Sequence, residues 1–111
     1  MHKGEIWLIN LDPTIGAEIR KTRPAVIISH DAIGVLPLRV IAPITEWKER
    51  YSIAPWLVFI APDAQNGLEK ASAADAFQIR SVSNERFVKR AGVLNDELLS
   101  QIINAVHVVI G

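Results

Sequence analysis

The chain has 111 residues, 50% of them apolar, and its twelve basic residues are balanced by twelve acidic ones. That size and apolar content fit one domain over 1–111 with its own core and leave no room for a second. The lack of cysteine excludes a disulfide framework, a thiolate metal site and a cysteine nucleophile, and a formal charge of zero argues against a general polyanion binder.

The first strand-like run is Glu5 to Leu11, around Ile6-Trp7-Leu8-Ile9, and the next is Ala25 to Ser29. Between them, the segment Asn10 to Pro24 breaks at Asp12-Pro13 and Gly16 and then gathers Arg20, Lys21 and Arg23. A loop held between strands of a rigid scaffold commonly carries binding and catalytic groups. Further runs follow at Leu38 to Ile44, Trp56 to Ile60 and Ala74 to Val82, with turn signals at Asp31 to Gly34, Pro62-Asp63 and Asn66-Gly67. Several short strands predict a β-barrel or small sandwich, so the fold class is mainly β with short helices. Val26-Ile27-Ile28 and Trp56 to Ile60 are apolar on both faces, which suits strands covered on two sides or by a second copy of the chain. Ser83 or Asn84 is expected to cap a short helix through Val88. Asn95 should cap a C-terminal helix, with Asp96 and Glu97 at the positive end of its dipole. Leu98, Ile102, Ala105, Val106 and Val109 recur at helical spacing, so that helix should pack on the barrel or on a second subunit. The longest apolar run is far short of the roughly 20 residues a membrane helix needs, and Met1 to Glu5 leads into a strand rather than a signal peptide. The expected location is the cytoplasm.

Among residues that can do chemistry, Arg23 stands out because Pro24 holds it extended and limits where its guanidinium can point. That group is a planar, permanently charged fork that matches two phosphate oxygens. Glu18, in the same loop, can orient the guanidinium, share proton transfer or stand as a solvent-exposed acid. Pro43-Ile44-Thr45 ends a strand with a hydroxyl at the mouth of a loop, although β-branching alone accounts for a strand threonine. Period-two alternation puts Gln78 and Arg80 on one face and Phe77 and Ile79 on the other. Phe77 and Ile79 then read as core, Gln78 as facing a groove, and Arg80 as either in that groove or paired with an acid. Trp7 and Trp56 lie inside strand runs and read as core, whereas Trp47, just beyond Thr45, is the aromatic best placed to stack on a base. His2, His30 and His107 have no partner at ligand spacing, so neither a metal site nor a histidine acid–base pair is expected, and no cofactor. The clusters Lys48/Arg50 and Arg86/Lys89/Arg90 read as solvated surface.

Taken together, Gly4-Glu5-Ile6-Trp7, the run Asn10 to Glu18, Arg23-Pro24-Ala25-Val26-Ile27-Ile28-Ser29, Pro43-Ile44-Thr45, Gly67-Leu68-Glu69 and Phe77 to Val82 resemble the MazF/PemK family of toxin endoribonucleases. The resemblance spans nearly the whole chain. It implies a compact barrel of the SH3-like toxin type (the CcdB and Kid architecture) with a C-terminal helix, and a homodimer with RNA along the dimer groove. It also implies a cognate antitoxin whose tail occupies that groove. Arg23-Pro24 then occupies the place of the family's catalytic arginine, and Thr45 that of the hydroxyl beside it. The implied reaction needs no metal, because single-stranded RNA supplies its own 2′-hydroxyl nucleophile and the products carry 2′,3′-cyclic phosphate and 5′-hydroxyl ends. Arg20, Lys21, Trp47, Gln78 and Arg80 become RNA contacts. Two departures are Glu46, an extra negative charge beside Thr45, and Ile19-Arg20-Lys21-Thr22, where smaller residues are usual. Two other readings remain open: a toxin of the same fold that binds DNA gyrase, and a catalytically silent module that binds only antitoxin or RNA. The gyrase-directed relatives depend on a C-terminal tryptophan, and this chain has none after Trp56.

Overall fold

The computed structural model describes residues 1–111. Its strands are β1 (Glu5–Asn10), β2 (Thr22–Ile27), β3 (Leu38–Glu46), β4 (Leu57–Ile60), β5 (Ser72–Asp75), β6 (Arg80–Ser83) and β7 (Phe87–Val93), followed by a single α-helix, α1 (Asp96–Ile110). They pair antiparallel in the order β4-β5-β3-β2-β1-β7, and β6 also pairs with β3. This is the mainly-β fold with a C-terminal helix that the strand pattern leads one to expect.

Side-chain alternation explains why β2 is apolar on both faces. Val26, with Ile28 just past the strand end, joins a core of twelve buried residues that includes Ile6, Ile44, Ile60 and Ile102. Ala25 and Ile27 point the other way into a core of six with Ile9, Leu11, Ile41 and Val82. The chain therefore covers both faces of this strand itself, and β2 needs no second copy to do so. Each such isoleucine contributes about 2 kcal/mol by leaving water. The helix starts where expected: Asn95 Oδ1 accepts the Leu98 N–H at 2.8 Å, and Ile102 and Ala105 are buried against the larger core. It packs on β4 and on a short 3-10 turn over Ala76–Gln78 of its own chain.

Three sequence expectations change. The run Ala74 to Val82 is not one strand, because the Asp75 carboxylate accepts the Phe77 N–H at 2.9 Å and forms the Ala76–Gln78 turn between β5 and β6. That turn breaks the alternation, so Phe77 is 65% exposed rather than core. It meets Trp56, itself 39% exposed, in a T-shaped contact with ring centroids 6.2 Å apart. The helix expected through Val88 shrinks to a 3-10 turn at Asn84–Arg86 capped by the Ser83 hydroxyl. From Phe87 the chain becomes β7, since β1 has a free edge whose backbone groups need partners, and this long-range pairing outweighs the local helix signal.

Pro62 to Lys70 folds over β7, where Gln65 O accepts the Val93 N–H at 2.9 Å. The crossing is close enough that a side chain on Gly92 would run into Gln65 and Asn66, and one on Gly67 into Ala91. Asn66 is buried beneath it, with its amide spent on Ala61 O and on the N–H groups of Asp63 and Leu68.

Candidate active site

Arg23 and Thr45 come together through the bend of β3. The β2–β3 ladder ends at Ala25–Pro43, and from Ile44 onward β3 pairs with β5 instead. Pro24 and Pro43 have no N–H to give, so neither can extend the ladder, and the strands part just where their register would set Arg23 opposite Thr45. The gap is a cleft of ≈ 470 Å³. Leu8, Pro24 and Ile44 form its apolar surface, and Arg23, Thr45, the Gly67 to Lys70 loop and Lys89 to Ala91 of β7 complete it.

Arg23 Nε donates to Arg20 O at 3.2 Å, which fixes the plane of the guanidinium. The terminal amino groups of its fork meet no acceptor of the chain, and the Thr45 hydroxyl is likewise free of internal hydrogen bonds. The cleft holds four cations, Arg23, Lys70, Lys89 and Arg90, against two carboxylates, Glu46 and Glu69. Lys70 pairs with Glu46 at 3.4 Å and Arg90 with Glu5 at 3.6 Å, so Arg23 and Lys89 carry the uncommitted positive charge against one uncommitted carboxylate, Glu69. A neutral protein thus has a local patch suited to an anionic group. No three His, Cys, Asp or Glu side chains converge at metal-binding distances anywhere in the chain.

The other candidates are placed differently. Glu18 turns back on its own loop, accepting the Ile15 N–H at 2.6 Å, and lines a separate cleft with Pro13, Phe77 and Arg80. It makes no hydrogen bond or ion pair with Arg23, whose Nε is held by the Arg20 carbonyl. Gln78 and Arg80 both bind the same loop: Gln78 Oε1 accepts from Ile19 N at 2.6 Å, its Nε2 donates to Ala17 O at 3.2 Å, and Arg80 Nη1 donates to Leu11 O at 3.0 Å. Of the two readings of Arg80, groove residue or partner of an acid, the second meets a backbone carbonyl in place of an acid. Arg86 joins this clamp through Asn10 O and Asp12 O. Arg20 and Lys21 are exposed at the loop's end, with Lys21 at φ 71° and its N–H bound to Asp12 Oδ1 at 3.1 Å. Trp47 lies outside the Arg23 cleft, packed edge-on against Phe59 and Tyr51 at 5.0 and 5.9 Å.

Sequence reading missed Lys70, Lys89 and Arg90 as cleft residues. The last two sat in a basic cluster that only the β7 pairing turns toward the site. Trp56 was also misplaced, since it lines a cleft next to Thr45 together with Asp75. Burial pushes the Asp75 carboxyl above its ordinary range, while the N–H groups of Phe77 and Gln78 pull it the other way.

A bent β3, an arginine fork and a threonine hydroxyl at the strand parting define a small β-barrel protein with a cleft of net positive charge. Residues 2–110 match the family described as PemK-like, MazF-like toxin of type II toxin-antitoxin system, and the chain belongs to that family. It is 32% identical over 111 residues to Endoribonuclease MazF9 of Mycobacterium tuberculosis, covering 95% of this chain and 92% of that one. It is 30% identical over 112 residues to Endoribonuclease MazF of Staphylococcus saprophyticus, covering 100% and 92%. Among solved structures, MazF from Deinococcus radiodurans superposes with a TM-score of 0.82 at 22% identity, over 100% of this chain and 96% of that one, and so shares the fold.

Proposed function

We propose that this chain, a toxin by family whose full-length relatives are named endoribonucleases, cleaves single-stranded RNA at a preferred sequence without a metal. The observation that carries this reading is the convergence of Arg23 and Thr45 on one cleft, with a free fork and a free hydroxyl. In the reaction, the ribose 2′-oxygen attacks the adjacent phosphorus and the bond from phosphorus to the 5′-oxygen breaks. The 2′-hydroxyl gives up its proton and the leaving 5′-oxygen gains one, so the products end in 2′,3′-cyclic phosphate and 5′-hydroxyl. Arg23 stabilises the charge that builds on the non-bridging oxygens, and Thr45 aligns the phosphate or the 2′-hydroxyl. Lys89 adds an unpaired positive charge across the cleft. Glu18 takes part only through its loop, because its carboxylate is engaged there. We place the cognate antitoxin and a second copy of the chain as partners, with the antitoxin competing for the RNA cleft. No helix here is long and apolar enough to cross a membrane.

The test is cleavage of a single-stranded RNA library in chelator with end-group analysis. Cyclic phosphate ends, no cutting of the matching DNA, and loss of activity in both Arg23→Ala and Thr45→Ala are expected. Full activity in both variants would remove the site assignment; failure to cut any RNA would remove the function.

A further inference from the structure

Thr45 is shared by the Arg23 cleft and a second one of ≈ 550 Å³. The second cleft is walled by Trp56, Tyr51, Arg50, Gln78 and Asp75, among others. It sets one cation against one carboxylate, whereas the first sets four cations against two carboxylates. Trp56 keeps over a third of its surface open, held in place by its T-shaped contact with Phe77. Asp75 is buried, its Oδ1 takes the Phe77 N–H at 2.9 Å, the Gln78 N–H also acts on the carboxylate, and no cation does. Asp75 is the one carboxylate of this cleft and Arg50, over the Tyr51 ring at 5.4 Å, its one cation, so the side formed by Trp56 and Asp75 fits an aromatic base that offers an N–H donor. Gln78 is a passive wall, because both its amide atoms are tied to the loop backbone.

We propose that this second cleft is a nucleobase subsite for a nucleotide adjoining the phosphate at Arg23 and Thr45, and that it selects a base bearing an exocyclic amino group over uracil. The proposal rests on the RNA-cleavage reading above. The base stacks on Trp56, and the Asp75 carboxylate, acceptor-only when ionised, takes a hydrogen from the amino group of cytosine, adenine or guanine. Uracil turns carbonyl oxygens on either side of its single N–H toward the carboxylate, which repels them. Cytosine and uracil are the same size, so the discrimination is one of hydrogen bonding, and a site of this kind separates such pairs by about 10- to 100-fold.

The experiment pairs cleavage with binding. RNA oligonucleotides differing only by cytidine or uridine at each position next to the cut are compared in wild type, Asp75→Asn and Trp56→Ala, alongside binding of 3′-CMP and 3′-UMP followed by NMR. Asparagine keeps an oxygen to accept the Phe77 N–H, with retention of the fold checked by a thermal melt, while its amide offers a donor to the uracil carbonyl. Wild type is expected to favour cytidine at one position by about tenfold or more, Asp75→Asn to abolish or invert that ratio, and Trp56→Ala to raise KM for both while preserving it. An unchanged ratio in Asp75→Asn, or an equal loss of kcat on both substrates, overturns the subsite and leaves the nuclease reading standing. If wild type cuts no RNA, the nuclease reading falls and nucleotide binding decides alone. Preference for 3′-CMP that disappears in Asp75→Asn then sustains the subsite, and equal binding of the two nucleotides overturns it.

Discussion

Arg23 is aimed by its neighbours rather than by an acid. Pro24 keeps its backbone extended, and the Arg20 carbonyl takes its Nε hydrogen, so the two terminal amino groups reach the cleft in a fixed plane. Lysine at this position would keep the charge and lose both the fork and the Arg20 contact. Arg23→Lys is expected to lower kcat by about 10²-fold, measured on an RNA oligonucleotide, while thermal stability stays near that of wild type because no core contact is lost. The prolines and the arginine are local features, legible in sequence. The hydroxyl that completes the site is not, because nothing near Thr45 in the chain distinguishes it from a threonine chosen for its β-branching.

Between β1 and β2, the loop that carries Glu18, Arg20 and Lys21 is held by side chains from distant segments: Gln78, Arg80 and Arg86 bind its backbone at Ala17, Ile19, Leu11, Asn10 and Asp12. Gln78→Ala leaves the Ile19 N–H without a partner, a loss of about 1–2 kcal/mol, and frees the middle of the loop. We expect faster proteolysis between Pro13 and Arg20, and a fall in kcat/KM of about tenfold, with the C-terminal helix signal in circular dichroism retained. A second element-level prediction concerns the crossing of the Pro62 to Lys70 segment over β7. Gly92→Ala drives a methyl into Gln65 and Asn66 and is expected to cost about 3 kcal/mol, read from urea unfolding; Gly16→Ala, in open space, has no such neighbour to displace, though its φ of 60° still disfavours alanine.

Across the whole molecule, acid stability is tied to Glu5, which links the start of the chain to β7. Burial acts to raise its pKa. The Trp7 Nε1–H, the His2 N–H, the terminal ammonium and Arg90 together outweigh that effect, so the group lies below its ordinary 4.5. Its folded pKa is depressed, so its contribution is present above the unfolded value and is lost as pH falls through the folded one. Glu5→Gln retains the acceptor for Trp7 but not the charge. Its stability deficit against wild type should therefore be largest near neutrality and should shrink as pH drops below 4.5, checked by denaturant melts across that range. Asp75 works in the opposite sense, its raised pKa favouring the fold at the acid end. By itself the sequence determined what depends on neighbours along the chain: the strand periods of β1 to β4, the Asn95 cap and apolar face of α1, the extended Arg23, and the motif order that marks the family. Tertiary structure alone decided what depends on distant pairing. It turned Phe87 to Val93 into β7 and brought Lys89 into the cleft. It exposed Phe77 when the Asp75 turn broke a strand that alternation made continuous, left Trp56 over a third open beside it, and bound Gln78 and Arg80 to the loop. Free backbone edges and buried polar groups must find partners somewhere, and which partners they find is settled only when the sheet closes.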